Sequence, residues 1–528
     1  MRTPCDEAVI NAAGIPAPCR PEARGWILTA TILASSTAFI DSTVVNVALP
    51  SIQSSFHATV VEVQWVVESY GLFLGALILV GGSLGDRFGR RMIFLVGVAL
   101  FAMASAACGL VTNIHQLIIA RGIQGVGAAL LVPGSLAIIS TSFDEEGRGR
   151  AIGTWSGFTA ITTAIGPVLG GWLVQHASWR WAFFLNIPLA AAVMAISIWC
   201  IAESRAPGAT RVDWAGGLLA SFGLGGVVYG FIDSASLGWQ NPMVRGSLLL
   251  GFGCLSALAF VETRVTAPMI PLTLFRSRGF SGANLLTLFL YSALGIFFFL
   301  FPLDLIQIQG YSSTAAGAAV LPMILLMFVL SRWSGGLVAR YGPRSPLMIG
   351  PLIAATGFAL FSLRVVGGSY WKVFFPAIIV LGFGMAVTVA PLTTVVMNSV
   401  SQKWVGTASG INNAVARVAG VLAIAVLGIV MVSAFGSHLN HSLTQLRLPP
   451  DVVQEIRTEE IKLAGLQVPA GLDPDMNAAV TESVRAAFIF GFRTIMLICS
   501  SLALTSAAVA WRVIPAVRSD RDTQKKAA

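Results

Sequence analysis

The sequence has few charged residues for its length. Asp, Glu, Lys and Arg make up 11% of 528 residues, 55% are hydrophobic, and the mean hydropathy is +0.79. A soluble protein needs about a quarter charged residues, because its surface must meet water. The shortage excludes a soluble enzyme and indicates a chain whose surface is covered largely by lipid.

Motifs for metal, disulfide and nucleotide chemistry are also missing. The six cysteines are dispersed without a CxxC pair, which indicates neither a disulfide framework nor a zinc site. None of the five lysines follows a glycine, so the chain lacks the GxxxxGK[ST] loop that an ATP-driven pump would need. We therefore expect no metal and no cofactor, and coupling to an ion gradient is the remaining energy source.

The net charge of +9 does not indicate nucleic-acid binding. Lys and Arg recur in short loops between apolar runs, not on one face interleaved with aromatic residues. That distribution is typical of topology determinants at an anionic membrane surface. The expected partners are the lipid bilayer, a small-molecule substrate and protons, with no nucleic acid.

About fourteen apolar runs are long enough to span a bilayer, which takes about 20 helical residues. They begin near Trp26, Val63, Met92, Gln116, Ala151, Ala182, Trp214, Val244, Phe280, Ala315, Leu347, Val373, Gly406 and Ala486. The predicted fold class is therefore an all-α integral membrane protein.

Positive charges in alternate short loops indicate the orientation. By the positive-inside bias, both termini are expected in the cytoplasm. Arg180, Arg245, Arg364 and Lys372 are exceptions, because they fall in loops assigned to the outside. This orientation puts every histidine in an external connection.

Two loops with similar sequences indicate an internal repeat. Gly82–Arg91 follows the second run, and Gly335–Arg344 follows the tenth, with Ala339 where the first copy has Asp86. Six-helix halves match only if two extra helices lie between them. The predicted domains are a tail at 1–24, a first half at 25–203, a two-helix insertion with its loops at 204–275, a second half at 276–512 with external loop 436–485, and a tail at 513–528.

Five motifs carry a resemblance to a known family. They are Asp41–Pro50 (DSTVVNVALP), Gly82–Arg91 (GSLGDRFGRR), Arg121–Gly127 (RGIQGVG), Gly166–Gly171 (GPVLGG) and Trp179–Pro188 (WRWAFFLNIP). In this order, on the first to sixth runs, they resemble the fourteen-helix drug:proton antiporters of the major facilitator superfamily. The resemblance covers nearly the whole chain.

The resemblance implies a proton-coupled exporter of amphiphilic or cationic drugs, working by alternating access in the cell (inner) membrane as a monomer. It implies antibiotic resistance as the biological outcome. A dedicated exporter of one metabolite, lipid or self-made antibiotic would carry the same fold and motifs. A membrane receptor would usually add a soluble signalling domain, and a membrane enzyme would cluster His, Asp or Glu at one face; neither pattern is present.

The family uses the first repeated loop as a conformational latch in the outward-open state. Its residues here are Gly82, Gly85, Asp86, Arg87, Gly89 and Arg90. We expect the glycines to permit close backbone approach and Asp86 to cap a helix or meet arginines. A role of the arginines in topology alone is the alternative.

The antiporter motif comprises Gly166, Pro167, Gly170 and Gly171. Thr162, Gly166 and Gly170 recur at four-residue spacing, which predicts a stripe where another helix packs closely. Pro167 removes a backbone donor and is expected to kink the helix. Ordinary close packing is the alternative to a functional seam.

Ionisable residues inside the spans give the candidate transport site, because each costs about 2.5–3.5 kcal/mol or more at the bilayer centre. Counting along the helices puts Asp41, Glu68 and Arg121 at one depth, which suggests a shared aqueous cavity. We assign Asp41 as the first candidate for proton coupling or cation recognition, and Glu68 as the second, with a possible bearing on substrate. A static salt bridge of either with Arg121 is the alternative.

Three further features are weaker signals. Arg417 lies near the middle of the thirteenth run, where we expect interhelical hydrogen bonding or state-dependent pairing. Asp233 and Asp304 lie at external helix ends and are expected to be interfacial. Residues 450–467 in the external loop have helical spacing, so either a short surface helix or a solvated hairpin cap is expected.

Overall fold

The computed structural model describes residues 21–143, 145–205, 213–265, 268, 270–363, 369–400, 404–446, 448–466 and 472–516. Within these ranges the chain is helical and contains no strand. Most of the two predicted tails lies outside the described residues, as does Arg364, one of the exceptions to the positive-inside bias.

Nineteen α-helices occur along the described chain. The first nine are α1 (Pro21–Phe56), α2 (Val60–Phe88), α3 (Arg90–Leu110), α4 (Ile114–Ser142), α5 (Glu145–His176), α6 (Trp181–Phe184), α7 (Asn186–Cys200), α8 (Trp214–Leu237) and α9 (Pro242–Glu262). The remaining ten are α10 (Arg278–Leu303), α11 (Ser313–Ala318), α12 (Leu321–Gly335), α13 (Leu337–Tyr341), α14 (Arg344–Ser362), α15 (Tyr370–Val373), α16 (Phe375–Asn398), α17 (Val405–Gln445), α18 (Pro450–Glu459) and α19 (Pro474–Val513). A π-helix, Asp304–Ile308, continues α10, and 3₁₀-helices occupy Leu272–Arg276 and Glu460–Gly465.

Thirteen helical stretches of the described chain are long and apolar enough to cross a membrane. The 32-residue α5 is not among them, but it contains the fifth predicted run and exceeds the length that a bilayer requires. With α5 the number of spans reaches fourteen, so the predicted all-α membrane fold is confirmed.

Local capping explains where several spans begin. Thr59 and Glu62 form a capping box at the start of α2, in which the backbone N–H of Thr59 donates to Glu62 at 2.8 Å and the N–H of Glu62 donates to the Thr59 hydroxyl at 3.2 Å. Asn113 accepts a hydrogen bond from the N–H of Gln116 at the start of α4. These side chains satisfy amide donors that have no partner inside the first helical turn.

The described helices form two compact units. The first comprises the described residues up to Ala48, Trp65–Gly226 and Leu249–Pro271. The second comprises Leu49–Gln64, Val227–Leu248 and the described chain from Leu272 onwards. The domain boundaries predicted at 25–203, 204–275 and 276–512 stay a prediction.

In the first unit, glycines of the RGIQGVG motif bring helices close together. A Cβ atom at Gly127 would lie 2.6 Å from the backbone nitrogen of Phe101 in α3, and one at Gly125 would lie 3.2 Å from Cβ of Phe73 in α2. Neither position has room for a side chain. The motif therefore packs α4 against two neighbours, while its Arg121 and Gln124 are left for polar contacts.

A phenylalanine cluster forms part of the core of the second unit. The ring of Phe297 stacks on that of Phe301 at 4.9 Å and contacts Phe358 and Phe361 of α14. All four side chains are almost completely buried. Phe297 is therefore a core residue of the second unit.

Candidate functional site

Asp41 and Arg121 form a buried ion pair between α1 and α4. Arg121 Nη1 donates to Asp41 Oδ2, and both side chains are at most 1% exposed. The structure thus brings together two of the three ionisable residues that the sequence placed at one depth. Breaking such a buried pair by removing one partner costs about 3–5 kcal/mol, because a charge is left without compensation.

Two amides complete the environment of the Asp41 carboxylate. Its other oxygen, Oδ1, accepts hydrogen bonds from Gln124 Nε2 at 2.8 Å and from Asn186 Nδ2 at 2.9 Å. Asn186 is the first residue of α7 and also donates to the Ser105 hydroxyl of α3 at 2.9 Å. Four helices therefore contribute to one polar cluster in the first unit.

The guanidinium of Arg121 is held from several directions. Its Nη1 also donates to Gln124 Oε1 at 2.7 Å, and its Nε donates to the carbonyl oxygen of Val66 at 3.2 Å. The guanidinium carbon lies 4.2 Å from the centroid of the Tyr70 ring, within the range of a cation–π interaction. These contacts fix both the position and the charge of Arg121.

Glu68 lies apart from this cluster. Because an α-helix has 3.6 residues per turn, Glu68 is rotated by about 160° around α2 from both Val66 and Tyr70, which contact Arg121. The Glu68 side chain is 0% exposed, and neither carboxyl oxygen has a hydrogen-bond partner among the described residues. Among the described residues Glu68 therefore makes no hydrogen bond to the Asp41 cluster, and a cavity shared by all three residues stays a prediction.

The latch loop adopts a conformation that only glycine takes readily at one position. Gly89 has a φ of 127°, and a Cβ there would lie 2.7 Å from the Glu203 carboxylate. Asp86 pairs with Arg90, whose Nη2 lies 2.8 Å from Asp86 Oδ1. At Gly85 a Cβ would meet Arg90 at an ordinary 3.8 Å, so the close approach expected there is not seen.

Glu203 is a residue that the motif analysis did not single out. Its Oε1 accepts a hydrogen bond from the backbone N–H of Arg91, and its Oε2 accepts one from the N–H of Met92, both at 3.0 Å. These donors belong to the first turn of α3, so a carboxylate more than 100 residues away caps that helix. In the sequence, Glu203 stands out only as a charged residue that directly follows an apolar run, and this does not indicate that it caps α3.

Arg180 caps the opposite end of the same helix. Its Nη1 donates to the carbonyl oxygens of Gly109 at 2.9 Å and Val111 at 2.8 Å. Positive charge is favourable at a helix carboxyl end, where carbonyl groups lack partners. This use explains why an arginine occurs in a loop that the positive-inside bias assigns to the outside.

The antiporter motif packs α5 against α1. A Cβ at Gly166 would overlap the Thr43 hydroxyl, and one at Gly170 would lie 2.7 Å from Cγ1 of Val44. Thr162, one turn earlier, donates to the Ser36 hydroxyl at 3.0 Å. The predicted stripe of close packing is therefore present. Pro167 and Gly171 are both buried in the same continuous helix.

In the second unit, Arg417 lies half-buried in α17. Five residues before it, Asn412 donates to Asn284 Oδ1 at 3.1 Å and to the Thr287 hydroxyl at 2.8 Å, which joins α17 to α10. Asp304, which was expected at the membrane interface, is 0% exposed within the π-helix. Its depth in the bilayer stays a prediction.

Comparison with known proteins decides the family. The model of the Major Facilitator Superfamily matches residues 31–424. The tetracenomycin C resistance and export protein of Streptomyces glaucescens is 34% identical over 498 residues, which cover 92% of this chain and 91% of the relative. The chain belongs to the Major Facilitator Superfamily.

Other relatives and a solved structure agree with membership in this superfamily. The multidrug resistance protein Stp of Mycobacterium tuberculosis is 33% identical, with 92% of this chain and 91% of the relative covered. The puromycin resistance protein pur8 of Streptomyces alboniger is 35% identical, with coverage of 79% and 83%. A bacterial homologue of the human lysosomal transporter Spinster has the same fold, with a TM-score of 0.63 at 16% identity and coverage of 93% and 98%.

Membership in the superfamily places the protein among transporters. Its spans lie in the lipid bilayer of a cell membrane, and its substrate is a small molecule. The Asp41 cluster and the isolated Glu68 are therefore buried ionisable groups in the membrane-spanning part of a transporter.

Proposed function

We propose that the protein is a proton-coupled secondary exporter of amphiphilic or cationic drugs that works by alternating access. The relatives named for multidrug, tetracenomycin C and puromycin resistance support export of drugs. Following the positive charges of the loops, both termini are cytoplasmic. The protein acts as a monomer.

The observation that carries proton coupling is the isolated carboxyl group of Glu68. A buried carboxylate without a donor or a positive neighbour is strongly disfavoured, so this group is neutral while it stays enclosed. When a conformational change admits water, Glu68 ionises and releases its proton. The resulting negative charge attracts a cationic substrate, and reprotonation releases that substrate on the other side.

The Asp41–Arg121 pair has a complementary role in this proposal. Hydrogen bonds from Gln124 and Asn186, together with Arg121, stabilise the charged carboxylate in the described state. Proton uptake by Asp41 then requires Arg121 to move away, and this makes the pair sensitive to conformation. We propose Asp41 as a coupling residue that acts together with Glu68. A static structural pair is the competing interpretation.

The latch loop and the α1–α5 seam are proposed as the conformational parts. The Asp86–Arg90 pair and the two long-range caps on α3 keep the loop in a defined shape. In alternating access such a loop stabilises one state, and the glycine seam allows α1 and α5 to rock while packed. Arg417 is proposed to pair differently in the two states.

A dedicated exporter of one compound is the second candidate function. Several relatives are named for resistance to single antibiotics, including methylenomycin A and puromycin. A substrate panel separates the two candidates. Export of several unrelated cations supports the multidrug exporter, whereas export of one chemical class supports the dedicated one.

The test is uptake into proteoliposomes that have an acidic lumen. Protons leaving the lumen should drive ethidium inward, and because the charge of ethidium is permanent, pH trapping of a neutral form cannot account for accumulation. We expect accumulation that collapses when a protonophore is added. We also expect Asp41→Asn to abolish it. Dye flux that ignores pH gradients of both signs would refute proton coupling.

A further inference from the structure

The described residues between α17 and α19 do not lie free in solvent. Helices α17 and α19 have 41 and 40 residues, about twice the length that a bilayer requires. Residues 448–466, which comprise α18 and the following 3₁₀-helix, are called the external strap here. Its Ile456 and Leu463 are 1% and 2% exposed, so the strap packs with apolar side chains inward.

The strap is anchored to α17 by polar contacts. Arg457 Nε donates to Asn440 Oδ1 at 2.8 Å, and Asn440 Nδ2 donates to Glu460 Oε2 at 3.2 Å. All three side chains belong to the second unit, and Asn440 is fixed by a further bond from Nδ2 to the Gly436 carbonyl at 2.9 Å. The strap and α17 therefore share a hydrogen-bond network.

A different set of contacts joins the strap to the end of α1. Gln53 Nε2 donates to the carbonyl oxygen of Lys462 at 3.1 Å, and Gln307 Nε2 donates to Gln53 Oε1 at 2.9 Å. Gln307 lies on the π-helix, a rare element that re-aims side chains and occurs often at functional sites. A Cβ at Gly465 would lie 2.9 Å from the amide carbon of Gln53.

Backbone strain occurs on both sides of this contact. Leu463, in the strap, has φ 52° and ψ −125°, and His57, just after α1, has φ 50°. Leucine rarely adopts a positive φ, so the docked strap persists because its contacts hold it there. Release from α17 breaks the two hydrogen bonds that Asn440 makes with Arg457 and Glu460, whereas release from Gln53 breaks one.

We propose that the external strap is a releasable gate that holds the outer end of α1 through Gln53 and moves with α17 when it opens. The strap is held to α1 by one neutral hydrogen bond, from Gln53 to the Lys462 carbonyl, which is weak enough to break in each cycle. The proposal rests on the proposed transport function and on the cytoplasmic position of both termini, which puts the strap outside.

Distance measurements test the movement without requiring transport. Spin labels at Ser54→Cys and Thr458→Cys report on the strap relative to α1, and labels at Thr444→Cys and Thr458→Cys report on it relative to α17. All three native side chains are exposed. We expect two distance populations for the first pair and one for the second. A single population for the first pair would overturn the gate.

Reversible cross-linking tests the role of the gate in the transport cycle. After the six native cysteines are replaced by alanine, a short cleavable thiol reagent links Gln53→Cys to Gly465→Cys, or Asn440→Cys to Arg457→Cys as the control. The first link should lower proton-driven ethidium uptake by about tenfold or more, with recovery on reduction, and the control link should not. Equal uptake with and without the first link would contradict the gate. If the protein without a cross-link shows no proton-driven ethidium uptake but the Ser54–Thr458 pair keeps two distance populations, the proposed transport function is contradicted and the gate is not.

Discussion

Asn186 donates a 2.9 Å hydrogen bond to Asp41, which joins the first residue of α7 to the middle of α1. The same amide nitrogen donates to Ser105 of α3. One side chain therefore connects the Asp41–Arg121 pair to the helix whose two ends are capped by Glu203 and Arg180. The ion pair and the latch loop are linked by a continuous series of contacts within the first unit.

Replacement of Asn186 by alanine should destabilise the first unit. The change removes a donor from a buried carboxylate and leaves the Ser105 hydroxyl with one partner fewer, at a cost of about 1–3 kcal/mol. Thermal unfolding in detergent should shift to lower temperature. Asn413→Ala is the matched control, since Asn413 is exposed and bonds only to Ser409 of its own helix. An equal shift of the unfolding temperature in both variants would show that the hydrogen bond from Asn186 to Asp41 does not stabilise the first unit more than an exposed asparagine does.

Replacement of Glu203 by alanine should loosen the start of α3. Loss of the carboxylate leaves the N–H groups of Arg91 and Met92 without their acceptor, and a lost cap costs about 0.5–2 kcal/mol. Hydrogen exchange of a peptide covering residues 89–94 should accelerate. Glu482→Ala, which changes an exposed glutamate, should leave that peptide unchanged. Unaltered exchange in the Glu203 variant would contradict the capping role.

The α1–α5 seam should not accept a larger side chain. Gly166→Ala and Gly170→Ala insert a methyl group where Thr43 and Val44 already lie, and overpacking costs about 1–3 kcal/mol. Both variants should lose thermal stability and transport. Gly153→Ala in the same helix has open space around its new methyl group and should be neutral. An unchanged unfolding temperature of the Gly166→Ala variant would show that α1 and α5 can separate enough to hold a methyl group without loss of stability.

Docking of the external strap on α17 should depend on pH through Glu460. Burial raises the pKa of this carboxyl above its ordinary value of 4.5, against the opposing effects of the Asn440 hydrogen bond and the Arg457 charge. Lys462, on the same 3₁₀-helix, is paired with Glu459 instead. A raised pKa in the docked state stabilises docking at low pH, and this stabilisation is lost as the pH rises through that pKa.

Hydrogen exchange of a peptide covering residues 453–463, relative to its intrinsic rate at each pH, should therefore accelerate as the pH is raised from 4.5 towards neutrality. Glu460→Gln cannot ionise and should remove this dependence. A Glu460→Gln variant that keeps the full pH response would assign the effect to another group.

Much of the fold follows from the sequence because the bilayer restricts the options. Apolar runs of sufficient length predict the spans, and the spacing of Thr162, Gly166 and Gly170 predicts a close helix contact. The sequence does not specify which helix makes that contact. That depends on the rotation and tilt of α1 and α5, which are set by packing throughout the unit.

The sequence predicted the depth of the candidate residues along their helices, but not which neighbouring helix each of them faces. Counting residues put Asp41, Glu68 and Arg121 at similar heights, and the pair between two of them was among the alternatives. Tyr70 and Val66 of α2, and not Glu68, contact Arg121, and the spacing of residues along the chain does not specify which face of α2 meets another helix. Asn186 and Glu203 also escaped prediction, because each acts on a helix far away in sequence.

Asp304 shows that position along an apolar run does not reveal burial inside the protein. It lies near the end of a run, and the structure buries it completely within the π-helix. The helical spacing in the external loop left a short helix and a solvated cap open, and the structure contains the helix α18. The docking of α18 on α17, and of the following 3₁₀-helix on Gln53, depends on long-range contacts that the spacing does not encode.

The most direct measurement compares proton-driven accumulation and downhill exchange of ethidium in the wild type and in Glu68→Gln. Glutamine keeps the size and polarity of the neutral acid but cannot release a proton. Exchange between equal pH values should persist, whereas accumulation driven by an acidic lumen should fall to the level of empty liposomes. Glu482→Gln, at an exposed position, should behave like the wild type. Full accumulation by the Glu68→Gln variant would contradict the assignment of proton coupling to the isolated buried carboxyl group.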